Sequence, residues 1–253
     1  MSMIQAVTVF SSQGKRAASE NHLLVEEDKG IFVISDGFGG PVPGAAASKA
    51  ACEAVRNFLF KEAGDQDATL PFELRSYFSL AGNVLFNALI HANKKLVQLN
   101  RGKNVHEKGG ASLLAGYLDD GLLALANVGT CTAWLIREDG GVELVAPRSY
   151  GRLLNPFVRD VHPNKQMPLM SLGVHKDLEP EISEYRVSPG DWILAHTEGL
   201  PSGTREELFR LRQAMGQAGQ VSDSVRDLAG QRALKYLNEV NYDTDVSASL
   251  IFL

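Results

Sequence analysis

The segment IFVISDGFGG carries an apolar, β-rich run that stops at a carboxylate, Asp36, followed at once by Gly37. A strand of that kind throws the carboxylate out at a sheet edge. The glycine then allows a tight turn that leaves a backbone carbonyl open. A carboxylate beside an open carbonyl is the hard-oxygen ligation that Mg²⁺ or Mn²⁺ takes. The same residues also suit a plain strand-turn-helix in which Asp36 caps the following helix. Glycine is dense from Gly37 to Gly44, yet the Gly-Lys-Ser/Thr ending of a phosphate loop is missing. Upstream, GKRAASENHLLVEED sets Arg16, Glu20 and Asn21 just before another strand-like run. A guanidinium can grip a phosphate through two parallel charge-assisted bonds. A glutamate near it could hold a metal that shares that phosphate; the plain alternative is a solvated, charged loop.

Other chemistries find little support. The six histidines show no HExxH or paired spacing. His196 abuts the segment Thr197-Glu198-Gly199 and reads as a buried strand histidine, or else as a group behind that loop. Cys52 and Cys131 lie far apart and suggest neither a disulfide framework nor a cysteine metal site. Cys131, Trp134 and Trp192 are most simply core residues. A net charge of -5 gives no basic footprint for nucleic acid. No apolar run approaches a membrane span and the start MSMIQAVTVF lacks a signal-peptide pattern, so a cytoplasmic protein is expected.

The elements that must position these residues follow from periodicity. Short strands are expected over Gln5 to Phe10, over Leu23 to Glu26, and from Ile31 to the acidic turn. AAASKAACEAVRNFLFKEA reads as a helix, and Pro71 opens a second one with Leu74, Phe78, Ala81, Leu85, Ala88 and Leu89 on one face. ASLLAGYL, GLLALANV and TAWLIRE read as a three-strand meander broken at Asp119-Asp120-Gly121 and at Gly129. Residues 147 to 180 form a loop-rich excursion. EISEYRV and DWILAHT are a strand pair joined by Ser188-Pro189-Gly190-Asp191. Helices near 204–215 and 222–240 precede a closing strand, VSASLIFL. This order suits antiparallel sheets covered by helices better than a βαβ series. The last strand must pair with something central, which favours one domain over residues 1–253.

Taken together, these pieces resemble the type 2C (PPM) metal-dependent serine/threonine protein phosphatases. The resemblance rests on Arg-x-x-x-Glu, a short strand, apolar strand-Asp-Gly-x-Gly-Gly and a small-residue helix. It continues through GGASLLAGYL…LLALANVGT, SPGDWILAHTEGL and TDVSASLIFL. It implies an α+β, four-layer α-β-β-α sandwich with a two-metal site at one end, where a metal-activated water attacks phosphorus. Carried over, Asp36 would bridge the metals, Gly37 would supply its carbonyl, Glu20 would hold one ion, and Arg16 would clasp the phosphoryl oxygens. Mg²⁺ or Mn²⁺, one or two ions, is the implied cofactor, and a phosphorylated protein the implied partner.

The chain departs from the pattern at ligands. Asn21 stands for Asp, and Glu198 keeps a carboxylate on a longer stem. Thr130 replaces the aspartate where the family's accessory third ion binds, so no third ion is expected. In the simplest register Thr244 takes the last ligand position; Asp243 or Asp245 substitutes if the strand entry is bulged, and Asp245 completes the expected set. Phe38 fills a place where related sequences often carry His or Met, which excludes a general acid there. Two functions follow from this: a metal-dependent phosphatase with weak activity, or a pseudophosphatase that binds a phosphoprotein without turnover.

Overall fold

The computed structural model describes residues 4–63, 74–155, 167–214 and 223–253. Among these residues ten strands form two five-stranded antiparallel sheets. The first has the order β1 (Ala6–Ser12), β10 (Val246–Phe252), β9 (Trp192–His196), β6 (Thr132–Ile136), β7 (Gly141–Val145). The second runs β2 (Asn21–Glu26), β3 (Ile31–Phe38), β4 (Gly110–Asp119), β5 (Leu122–Val128), β8 (Glu181–Arg186). Helices α1 (Pro41–Ala63) and α2 (Leu80–Asn100) cover the second sheet, and α4 (Ser202–Ala214) and α5 (Asp223–Glu239) cover the first. A short α3 (Tyr150–Leu154) lies between β7 and β8. The four expected layers are present, and β10 pairs on both edges, with β1 and β9.

Alternation along the strands explains how three cores coexist. In β3, Ile31 and Val33 pack under α1 and α2, while Phe32 and Ile34 point at the other sheet. In β10, Val246, Ala248, Leu250 and Phe252 face α4 and α5, while Ile251 faces the second sheet. By the same parity Asp36 and Asp245 both belong to the space between the sheets, at one end of it.

Two expected hairpins are corners instead. β6 does not extend the β4–β5 pair but lies in the other sheet, and β8 and β9 lie in different sheets. Gly129, at φ 95°, carries the chain across. Local turn residues look alike for a hairpin and for a sheet-switching corner, so sequence alone reads both as hairpins. Helix α2 also starts later than expected, at Leu80, with Ser79 Oγ accepting from the Gly82 N–H. Asn83 ties down the preceding turn by accepting from the Arg75 N–H and donating to the carbonyls of Arg75, Phe78 and Ser79. Leu74 is accordingly outside the helix and exposed. The expected start at Pro71 and the part of the 147–180 excursion at 156–166 lie outside the described residues.

The corner before β9 is fixed by Asp191, which is buried and accepts from Arg137 Nε (3.0 Å), Arg137 Nη2 (2.9 Å) and the Ser188 N–H (2.9 Å). Asp191→Ala strands these donors and should cost about 2 kcal/mol in urea unfolding. An unchanged midpoint would show that the corner holds without it.

Candidate functional site

β2 and β3 pair so that Asn21 stands opposite Asp36, and the Gly37 N–H donates to the Glu20 carbonyl at 3.0 Å. The register thus sets Glu20 next to the acidic turn. Gly37 must be glycine: a Cβ there would collide with the Gly44 carbonyl. Gly44, in the first turn of α1, is constrained through the site instead, because a Cβ there would run into Glu20 Oε2 and turn that carboxylate away. The helix therefore begins against the Glu20 carboxylate, which also accepts from the Gly40 backbone. Nothing in the sequence reading singled out Gly44. Its one signal is a glycine inside an otherwise helical run just past the acidic turn.

From the other sheet come Glu198, just past β9, and Asp245, just before β10. Asp245 is buried, and its Oδ2 accepts from the Glu20 N–H (2.7 Å) and from Ser19 Oγ (3.3 Å). Its Oδ1 pairs with Arg16 Nε at 3.1 Å. Arg16 Nη1 also lies 3.5 Å from Glu20 Oε1. Asp243, by contrast, is exposed and pairs with Lys15 at 2.6 Å. The Thr244 hydroxyl sits against Gly199, where a Cβ would come within 2.5 Å of it. Of the three C-terminal candidates, Asp245 is the one that reaches Arg16 and Glu20. Asn21 Nδ2 donates to Thr197 Oγ1 (3.2 Å), joining the two sheets, while Asn21 Oδ1 is buried with no hydrogen-bond partner.

Thr130, in the corner between β5 and β6, is buried and shares a hydrogen bond with Ser112 Oγ at 3.2 Å. His196 is buried, with Nδ1 2.7 Å from the Thr197 carbonyl; burial pulls its pKa down to about 4, so it stays neutral. Cys131 belongs to the core between the sheets and Trp192 to the core under α4 and α5. Phe38 lies over Gly110 at the surface.

Four carboxylates and one guanidinium now share one end of the sandwich. Desolvation lifts Asp36 to about 7; Asp245 and Glu20 push the same way, while Arg16 opposes. Glu198 is pushed up to about 8, first by desolvation and then by Asp36, again against Arg16. Glu20 is raised too, by desolvation and Asp245, with Arg16 and the Gly40 N–H holding it back. Like charges in a partly desolvated space resist joint ionisation unless a cation enters.

The donors fit such a cation in kind: carboxylate oxygens, the carbonyl of Gly37, and the orphaned amide oxygen of Asn21 are all hard. Among the described residues, though, no three His, Cys, Asp or Glu side chains are grouped to hold a metal ion by themselves. The arrangement suits an ion that keeps several waters and takes only one or two carboxylates, which is the habit of Mg²⁺.

No protein-family model matches the chain. It is 23% identical over 186 residues to protein phosphatase PhpP of Streptococcus pneumoniae, covering 71% of each chain. Among solved structures it resembles the serine/threonine phosphatase Stp1 of Staphylococcus aureus, with a TM-score of 0.75 at 17% identity over 99% of this chain and 95% of that one. It also resembles the catalytic domain of the serine/threonine phosphatase PstP solved with two manganese ions, with a TM-score of 0.68 at 19% identity over 98% and 97% of the chains. At these identities the likeness establishes the fold, that of the PPM serine/threonine phosphatases.

The raised acids set a pH dependence. Without metal, the folded chain keeps protons on Asp36 and Glu198 up to about 7 and about 8, where the unfolded chain has already released them. The stability this lends is complete at acid pH and is lost as pH rises through those values. Urea unfolding in EDTA should therefore weaken from about pH 5 to pH 8, and the pair Asp36→Asn with Glu198→Gln should flatten that slope. A slope of opposite sign that the pair leaves untouched would contradict the placement.

Proposed function

We propose that this chain, whose fold is that of the PPM serine/threonine phosphatases, hydrolyses phosphoserine or phosphothreonine in proteins with the help of Mg²⁺ or Mn²⁺. The observation that carries the reading is the convergence of Asp36, Glu20 and Glu198 on one end of the sandwich, beside Arg16 and the orphaned oxygen of Asn21. Asp36 and the Gly37 carbonyl would hold the ion, with Glu20 and Glu198 reaching it directly or through water. Asp245 would reach a cation only by giving up a contact to Arg16, Ser19 or Glu20. A bound divalent ion there would acidify a water and neutralise charge on a phosphoryl group.

The protein's own groups do the rest. Arg16, 41% exposed, can turn its outer N–H edge toward a phosphoryl oxygen. The N-terminus of α1 meets the site at Gly40 to Gly44 and adds partial positive charge. Neutral His196 is locked to a backbone carbonyl, so it supplies no mobile proton at the surface.

A second reading, a phosphoprotein-binding module without turnover, draws on one specific feature: the guanidinium expected to clasp phosphate is already paired with Asp245. Among the described residues no helix is long and apolar enough to cross a membrane, and partners on a soluble phosphoprotein suit either reading.

Hydrolysis of p-nitrophenyl phosphate and of a phosphothreonine peptide in millimolar Mn²⁺ separates the two. Turnover that EDTA abolishes, and that Asp36→Ala lowers by about a hundredfold or more, is expected. Turnover absent at every metal concentration, or indifferent to Asp36→Ala, would leave the binding module.

A further inference from the structure

We propose that Asp245 is a built-in anionic partner of Arg16 that competes with an incoming phosphate group for the guanidinium and sets how tightly the site holds phosphate. The proposal rests on the reading of Arg16 as the phosphate contact, but not on turnover.

Three observations support it. Asp245 is almost wholly buried, with 2% of its side chain exposed, whereas Arg16 is 41% exposed. The carboxylate is therefore the fixed partner and the guanidinium the mobile one. Asp245 is also held without Arg16: the Glu20 N–H at 2.7 Å and Ser19 Oγ at 3.3 Å both donate to Oδ2, leaving Oδ1 for the guanidinium. Finally, Arg16 stands between two carboxylates, with Nε 3.1 Å from Asp245 Oδ1 and Nη1 3.5 Å from Glu20 Oε1, so an arriving phosphate must displace an anionic oxygen already at Nε. An arriving dianion must share a cation already half-neutralised, and must approach a second negative charge behind it.

The geometry separates the two jobs of Asp245. An asparagine at this position can still accept from the Glu20 N–H through its amide oxygen, which keeps the 16–20 segment in place. Its amide nitrogen then faces Arg16 and repels the guanidinium outward. Removing one negative charge a few ångströms from a bound phosphate, at a half-exposed cation where solvent brings the effective dielectric close to that of water, should tighten binding by about tenfold.

The test is calorimetric titration with inorganic phosphate, in Mn²⁺ and in EDTA, of the wild type, Asp245→Asn, Arg16→Ala and the double variant. Asp245→Asn should tighten phosphate binding by about tenfold, and the gain should vanish in the Arg16→Ala background. Equal or weaker binding by a folded Asp245→Asn overturns the proposal, and so does a gain that survives loss of Arg16. Should the variant unfold, the Arg16 Nε–H resonance of the unmutated protein decides. It should shift as phosphate is added, because the guanidinium leaves its ion pair with Asp245, and a resonance that stays put while phosphate binds refutes the competition. Failure of the phosphatase reading looks different: no hydrolysis by the wild type, with the phosphate-affinity gain of Asp245→Asn intact. Absence of phosphate binding in all four proteins overturns both.

Discussion

Repulsion among Glu20, Asp36, Glu198 and Asp245 around one guanidinium is the condition that the rest of the fold accommodates. Strand ends from both sheets bring these groups together: Glu20 before β2 and Asp36 in β3 from one, Glu198 after β9 and Asp245 before β10 from the other, with even positions of β3 and odd positions of β10 looking into the inter-sheet space. Over most of its length that space is filled by Phe32, Ile34, Leu114, Leu125 and Ile251. At one end the same parity delivers Asn21, Asp36 and Asp245 instead. A sandwich that excludes water along its length thus holds charge at its mouth, and the low local dielectric makes each charge felt by the others.

Much of the scaffold around this cluster is there to keep it close. Gly37 lets the acidic turn, the start of α1 and the Glu20 backbone approach to a distance that no side chain would permit, and Gly44 leaves room for the Glu20 carboxylate. Asp245 reaches across from the other sheet to the Glu20 backbone, and Asn21 reaches back to Thr197. These contacts order the 16–21 segment, which contributes both the cationic and the acidic member of the site. Arg16 offsets part of the negative charge, and a hard divalent cation would offset more of it.

The sequence makes the acidic turn legible only in combination, since an apolar run that stops at Asp-Gly is also an ordinary turn. It also makes Arg16 and Glu20 legible once they are seen as Arg-x-x-x-Glu just before a strand and ahead of the acidic turn. What it conceals is long-range. Whether Asp243, Thr244 or Asp245 faces the site depends on the parity of the last strand, at a separation of 225 residues between Glu20 and Asp245, which only the β10 register resolves. The crossings at Gly129 and at 188–191 are hidden because turn chemistry reports the bend and not the sheet that receives the next strand. Gly44 is hidden because small residues at a helix start look like composition rather than clearance.

Anomalous diffraction at the manganese edge, from crystals soaked in Mn²⁺, addresses the central placement most directly. A peak within bonding reach of the Asp36 carboxylate and the Gly37 carbonyl is expected, at about 2.2 Å for hard-oxygen ligation. A soaked crystal with no peak there, and with Asp36 and Glu20 turned away from each other, would contradict a cation site at this end of the sandwich.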